Sequence, residues 1–124
     1  MQVLKADDAR AVAAVCEALV PGCARVGAEV YVDALMARMS EEDRDRALRA
    51  FRSLAEVLGD GEAALRERQL TPELALARAL ACEAFYSDFV APGAPGPGAW
   101  SEIGFAPPAA ARLAKDWSYL GIRA

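Results

Sequence analysis

The 124-residue chain contains no histidine. That absence removes histidine general bases, Ser-His-Asp and Cys-His nucleophile systems, and the Glu-x-x-His pairs of ferritin-like di-iron bundles. A phosphate-cradling glycine loop is also missing, because the clustered glycines at 93, 96 and 98 alternate with prolines and no strand precedes them. No catalytic, cofactor-binding or metal-ligating residue is therefore assigned. Basic residues are in the minority, 14 against 18 acidic, for a net charge of −4 and a pI near 4.8. This is the wrong sign for a domain that lives on phosphate contacts, so no nucleic-acid partner is expected.

Cysteine is sparse, and its number is odd. Cys16, Cys23 and Cys82 include no C-x-x-C pair and match neither a zinc site nor a closed disulfide framework. Cys16 and Cys23 would stand two turns, roughly 10 Å, apart on a continuous helix, and with Pro21-Gly22 between them a bridge would need a sharp local fold-back, so three reduced thiols are expected. Long apolar runs are missing too. Arg78 and Glu83 interrupt even the alanine-rich stretch near residue 80, short of the roughly 18 apolar residues of a membrane span. The first twenty residues carry Asp7, Asp8 and Glu17 and no twin arginine, which does not suit a signal peptide and makes the cytoplasm the expected location.

What remains is 55% hydrophobic and 26% charged, with 29 alanines, a composition that suits one helix-rich domain. A first helix is predicted from about Ala6 to Val20, with Val12, Cys16, Leu19 and Cys23 on one stripe and Pro21-Gly22 as its stop. A second is predicted from about Ala24 to Met39. Ser40, followed by three acids, starts a third that runs to about Leu58, and a short helical piece follows the Gly59-Asp60-Gly61 turn. Thr71-Pro72-Glu73 starts the next, through about Tyr86, and its few charges make it the expected central element. A Pro/Gly-rich surface loop over about 88–106 comes after it, then a helix from Pro107-Pro108 to about Trp117 and a tail. The expected architecture is all-α, a single-domain bundle of four to five helices over 1–124.

Two groups of residues invite a functional reading. Glu83 lies in the apolar central helix and is the best single candidate for carboxylate chemistry if desolvation raises its pKa, but a helix exposed on one narrow edge places it in solvent or at an interface, which is the favoured alternative. Trp100, Phe105, Trp117 and Tyr119 gather four of the nine aromatics in the last quarter of the chain, on loop and tail segments. Aromatics on such segments either fold back over the open end of the bundle or anchor an interface. For the near-terminal run from Trp117 to Ile122 the interface is the preferred alternative.

The stretch Ala84-Phe85-Tyr86-Ser87-Asp88, then a Pro/Gly-rich loop, then Gly98-Ala99-Trp100-Ser101-Glu102-Ile103-Gly104-Phe105, resembles the C-terminal signature of the gluconate 2-dehydrogenase subunit 3 family. Ala18-Leu19-Val20-Pro21-Gly22 is similar to that family's helix end before its second helix. The resemblance implies a small helical subunit that binds and stabilises a large flavin-dependent oxidoreductase of the glucose-methanol-choline type, with FAD held by the partner and none in this chain. It also implies partner contacts through Phe85, Tyr86, Asp88, Trp100, Ile103, Phe105, Trp117 and Tyr119. The chain departs from the pattern in lacking the twin-arginine leader and in reading Pro-Gly-Ala-Pro-Gly-Pro-Gly where members usually have Gly-Gly-Asn. The alternative is a free-standing small helical enzyme or ligand-binding protein, with Glu83, Tyr86 and Asp88 around a pocket.

Overall fold

The computed structural model describes residues 1–105 and 117–123, and every regular element among them is helical. Four long helices form the body: α1 (Ala6–Leu19), α3 (Ala28–Arg38), α4 (Glu41–Leu58) and α6 (Pro72–Tyr86). Three short ones fill the connections, α2 (Cys23–Val26), α5 (Glu62–Arg66) and α7 (Ala99–Glu102), and a 3-10 turn spans Ser118–Leu120. The helix expected from Pro107-Pro108 lies outside the described residues.

The two strongest start signals act as read. Ser40 Oγ accepts from the Asp43 N–H at 3.1 Å, and Thr71 Oγ1 accepts from the Leu74 N–H at 3.4 Å ahead of Pro72. The predicted second helix is not continuous. It breaks at Gly27, whose φ of +67° is left-handed and where a Cβ would stand 2.7 Å from the Cβ of Ala91. Only glycine tolerates both that backbone and that neighbour. The break also leaves the Val26 carbonyl open to the Ala91 N–H, at 2.8 Å.

Helix α6 is central, packed against α1, α2, α3, α4 and α7. Leu74, Ala77, Leu80, Ala81, Ala84 and Phe85 are its buried positions, and the alanines let its neighbours approach closely. Val12 and Val15 of α1, Val32 and Met36 of α3, and Phe51 and Leu54 of α4 complete the interior. Its outer edge carries Ala75, Arg78, Ala79 and Glu83, all exposed.

Two carboxylates tie the body together. Asp33, 1% exposed within α3, accepts from the N–H groups of Val3 and Leu4 at 2.9 and 2.8 Å and from that of Gln2 as well. The Gln2 side chain in turn donates to the Leu120 carbonyl at 2.9 Å, so the N-terminal segment fastens the tail. Asp8, buried in the first turn of α1, receives Arg52 of α4 at 2.8 and 2.9 Å on its two oxygens. Arg52 holds the Asp8 carboxyl below its ordinary range, through the hydrogen bond first and charge attraction second, against the opposing cost of burial.

Because the folded value for Asp8 is depressed, the pair's contribution is fully present above the ordinary aspartate pKa, about 3.9, and fades as pH falls through the folded value. Asp8→Asn is expected to lower Tm at pH 7, by an amount that shrinks below about pH 4, as thermal melts across pH check. Asp33→Ala strands three backbone donors at or near the interior, and a loss of about 3 kcal/mol is expected in denaturant titration.

Candidate functional site

The C-terminal end of α6 organises the region that the sequence singles out. Phe85 is 4% exposed and turned inward, with its ring against the Pro21-Gly22 turn; a Cβ on Gly22 (φ +109°) would lie 2.8 Å from that ring. The Arg25 guanidinium sits over the same ring, 5.6 Å from its centroid. Arg25 also donates through Nε to the Pro97 carbonyl at 3.0 Å, pairs with Glu102 of α7, and accepts at its own carbonyl from the Gly96 N–H at 2.9 Å. One residue of α2 thus holds the Pro/Gly segment and α7 beneath α6.

The expectation of an extended surface loop is corrected here. Phe89 is fully buried, edge-on to Tyr31 (5.2 Å between centroids) and to Trp117 (5.3 Å), and Ala91, Gly98 and Ala99 are buried with it. The prolines at 92, 95 and 97 stay outside, where their missing N–H groups cost nothing. The segment gains a core anchor from Phe89 and backbone ties from Ala91 and Gly96, and it ends in a helical turn that the sequence reading does not predict.

Asp88 adopts a φ of +63° and accepts from the Trp100 N–H at 3.1 Å, which fixes the start of α7. The indole N–H of Trp100 donates to the Tyr86 carbonyl at 3.0 Å, and the Trp100 ring meets Phe105 edge-on at 5.3 Å. Asp88 is therefore a positioning group, half-buried and turned toward α7. Around the same last turn of α6, the Tyr31 hydroxyl donates to Glu83 at 3.4 Å, Trp117 packs edge-on to Tyr31 at 6.1 Å, and Tyr119 lies against Trp117. Burial, with the Glu83 carboxylate second, pushes the Tyr31 phenol above its ordinary value, so it stays protonated.

Among the described residues six large hydrophobic side chains are exposed, and four of them belong here: Tyr86 at 55%, Ile103 at 67%, Phe105 at 50% and Tyr119 at 59%. Trp100 lies half-buried against Phe105, and Trp117 half-buried against Tyr119. Of the eight residues expected to meet a partner, then, four are outward, Trp100 and Trp117 form the backing, and Phe85 and Asp88 act from within. Arg25, Phe89 and Tyr31, which hold this arrangement, are not among the residues the sequence points to. Glu83 is exposed on the outer edge of α6, the solvent-facing alternative of the two. Three clefts of roughly 130, 440 and 260 Å³ lie elsewhere, beside Leu65 and Arg78, between Arg49 and Leu76, and between Gln2 and Ile122; none of the three is lined by Glu83, Tyr86 or Asp88.

No protein-family model, curated protein or solved structure matches this chain. No group of three or more His, Cys, Asp or Glu among the described residues is placed to hold a metal ion. No helix among them is long and apolar enough to cross a membrane.

The geometry makes Gly98 a sensitive point. A Cβ there would stand 2.2 Å from Asp88 Oδ1, so Gly98→Ala must displace the carboxylate that fixes α7. A loss of about 1–3 kcal/mol is expected, with Trp100 emission shifted to the red, both read by fluorescence-monitored unfolding.

Proposed function

We propose that this chain is a small non-catalytic subunit that binds and stabilises a large FAD-dependent oxidoreductase, one acting on a sugar or alcohol, in a hetero-oligomeric complex. The observation that carries the reading is the exposure of Tyr86, Ile103 and Phe105 around Trp100, on hydrogen-bonded backbone at the end of α6, with Tyr119 exposed beside Trp117. Clustered aromatic and aliphatic side chains exposed on a fixed frame mark an interaction surface far more often than scattered ones do. Contact between the two distant segments that carry the family resemblance supports the reading as well: the Gly22 turn rests on the ring of Phe85. In the complex FAD and hydride chemistry belong to the partner, and this chain supplies a rigid apolar platform.

Ile103→Asp, at an exposed position, is expected to leave the isolated chain within about 0.5 kcal/mol of its stability, while Phe105→Asp also loses the edge-on pair with Trp100 and is expected to cost about 0.5–1.5 kcal/mol. Each is expected to weaken association by tenfold or more, on the order of 2 kcal/mol, if the face is the contact. The experiment is co-expression with a large flavoprotein of the glucose-methanol-choline type from the same organism, scoring soluble, flavin-loaded partner with wild type, with each variant and with no small chain. Recovery that needs the wild-type chain and drops with the two variants supports the assignment. A partner equally soluble, loaded and active without the chain overturns it, and leaves the free-standing helical protein with Glu83, Tyr86 and Asp88 as the reading.

A further inference from the structure

The cleft beside Leu65 and Arg78 lies along the first half of α6, away from its aromatic C-terminal end, and holds roughly 130 Å³. Its floor is part of the core, with Leu65 3% exposed and Leu74 1%. Its rim is polar and exposed: Arg66 and Gln69 from α5 and the turn after it, Arg78 from α6, and Glu62 as the single acid of the lining. Elsewhere the arginines are engaged, Arg10, Arg25, Arg46 and Arg52 with carboxylates and Arg44 with three backbone carbonyls. Arg66 and Arg78 are different, since among the described residues neither makes an ion pair or donates a side-chain hydrogen bond. Glu62 stands four positions before Arg66 on α5, the spacing at which a helix pairs opposite charges, and even that pair is not made. The wall is fixed all the same. The Arg68, Gln69 and Thr71 N–H groups close on the carbonyls of Leu65, Arg66 and Arg68 at 3.0, 3.2 and 2.9 Å, and α5 packs on α4.

We propose that this cleft binds a short-chain organic carboxylate, its charged end on the Arg66 and Arg78 guanidiniums and its hydrocarbon end on Leu65 and Leu74. A guanidinium presents a planar fork of donors that matches the two oxygens of a carboxylate, and it stays charged at every pH at which the protein folds. Size limits the ligand. Water in the liquid takes about 30 Å³ per molecule, so the cleft has room for about four waters, or a molecule of about four to six non-hydrogen atoms. Charge limits it further, because two arginines against one glutamate leave the lining at a net +1, the complement of a monoanion. The Glu62 carboxylate at the rim opposes a phosphate dianion, and a floor of leucine offers no donor to a bare inorganic ion. A ligand with one charged and one apolar end satisfies both parts of the cleft. This inference is independent of the proposed partner.

The test follows the backbone amides of the full, isotope-labelled chain by NMR as sodium isobutyrate is added, with sodium chloride holding the ionic strength constant. Saturable shifts are expected at Leu19 and within 62–69 and 74–78, with half-saturation at about 1–10 mM for so small a ligand. Arg66→Gln and Arg78→Gln are each expected to raise Kd by about tenfold or more, and Arg78→Lys, which keeps the charge and loses the fork, to fall between. Both positions are exposed, so the variants are expected to melt as wild type does. Arg49→Gln, at an exposed arginine that lines a different cleft, is expected to bind as wild type. Shifts that grow linearly without saturating, an equal response at the same amides to isobutylammonium, tighter saturation by inorganic phosphate, or unchanged affinity in both glutamine variants would each overturn the proposal.

Discussion

The close contact between the Phe85 ring and the Pro21-Gly22 turn is the constraint on which the arrangement at the C-terminal end of α6 depends. A side chain at Gly22 would collide with that ring, and the φ of +109° there is open to little but glycine. With the turn held, α2 starts at Cys23 and places Arg25 over the same ring. Arg25 then fixes the Pro/Gly segment and α7, and α7 presents Trp100 to the end of α6. One van der Waals contact thus determines where a segment some seventy residues later can lie. Phe85 is conspicuous in the sequence as a large aromatic, but it acts from inside the molecule.

Polar groups take the remaining positions that packing alone leaves undetermined. Helical bundles have many near-equivalent ways to slide their apolar stripes, and a buried carboxylate with fixed donors tolerates few of them. Asp33 fixes the N-terminal strand of chain against α3, and through Gln2 it fixes the tail. Asp8 fixes α1 against α4. The Asp8 pair is half open to water on the arginine side, so its contribution to stability is modest and its larger effect is to set the register of the two helices.

How much of this was legible in the sequence depended on how local the cause was. Ser40 and Thr71-Pro72 announce α4 and α6 because a cap acts within four residues. The break at Gly27 was not legible, since what demands it is Ala91, far along the chain. Phe89 was hidden by the prolines and glycines after it; its burial comes from Tyr31 and Trp117, which no periodicity connects. Ala75 and Ala79 count as apolar in a pattern yet sit at the surface with Glu83, so the girth of α6 reads as more buried than it is. Asp33 did leave a signal that went unread: an acid in the apolar run Tyr31-Val32-Asp33-Ala34, with no basic residue four positions away on either side. Of the aromatic face, the members could be named, but the split between outward contacts and inward supports came only with the fold.

That split bears on whether the terminal aromatics close the bundle or await a partner. Burying one such side chain is worth about 1.5–3 kcal/mol, so aromatics recruited to close a core should be found inside it. Phe89 meets that condition, and Trp117 meets it in part by packing on Tyr31 and Phe89. Ile103 and Phe105 do not; they stay outside while Asp88, Arg25 and the Trp100 indole N–H hold the backbone that carries them. Ordering a side chain at an interface costs about 0.5–1.5 kcal/mol, and a frame fixed in advance removes much of the additional cost of ordering its backbone. The same hydrogen bonds that seat Phe89 and Ala99 in the core also hold Ile103 and Phe105 outside it on a fixed backbone, an arrangement that suits contact with another surface.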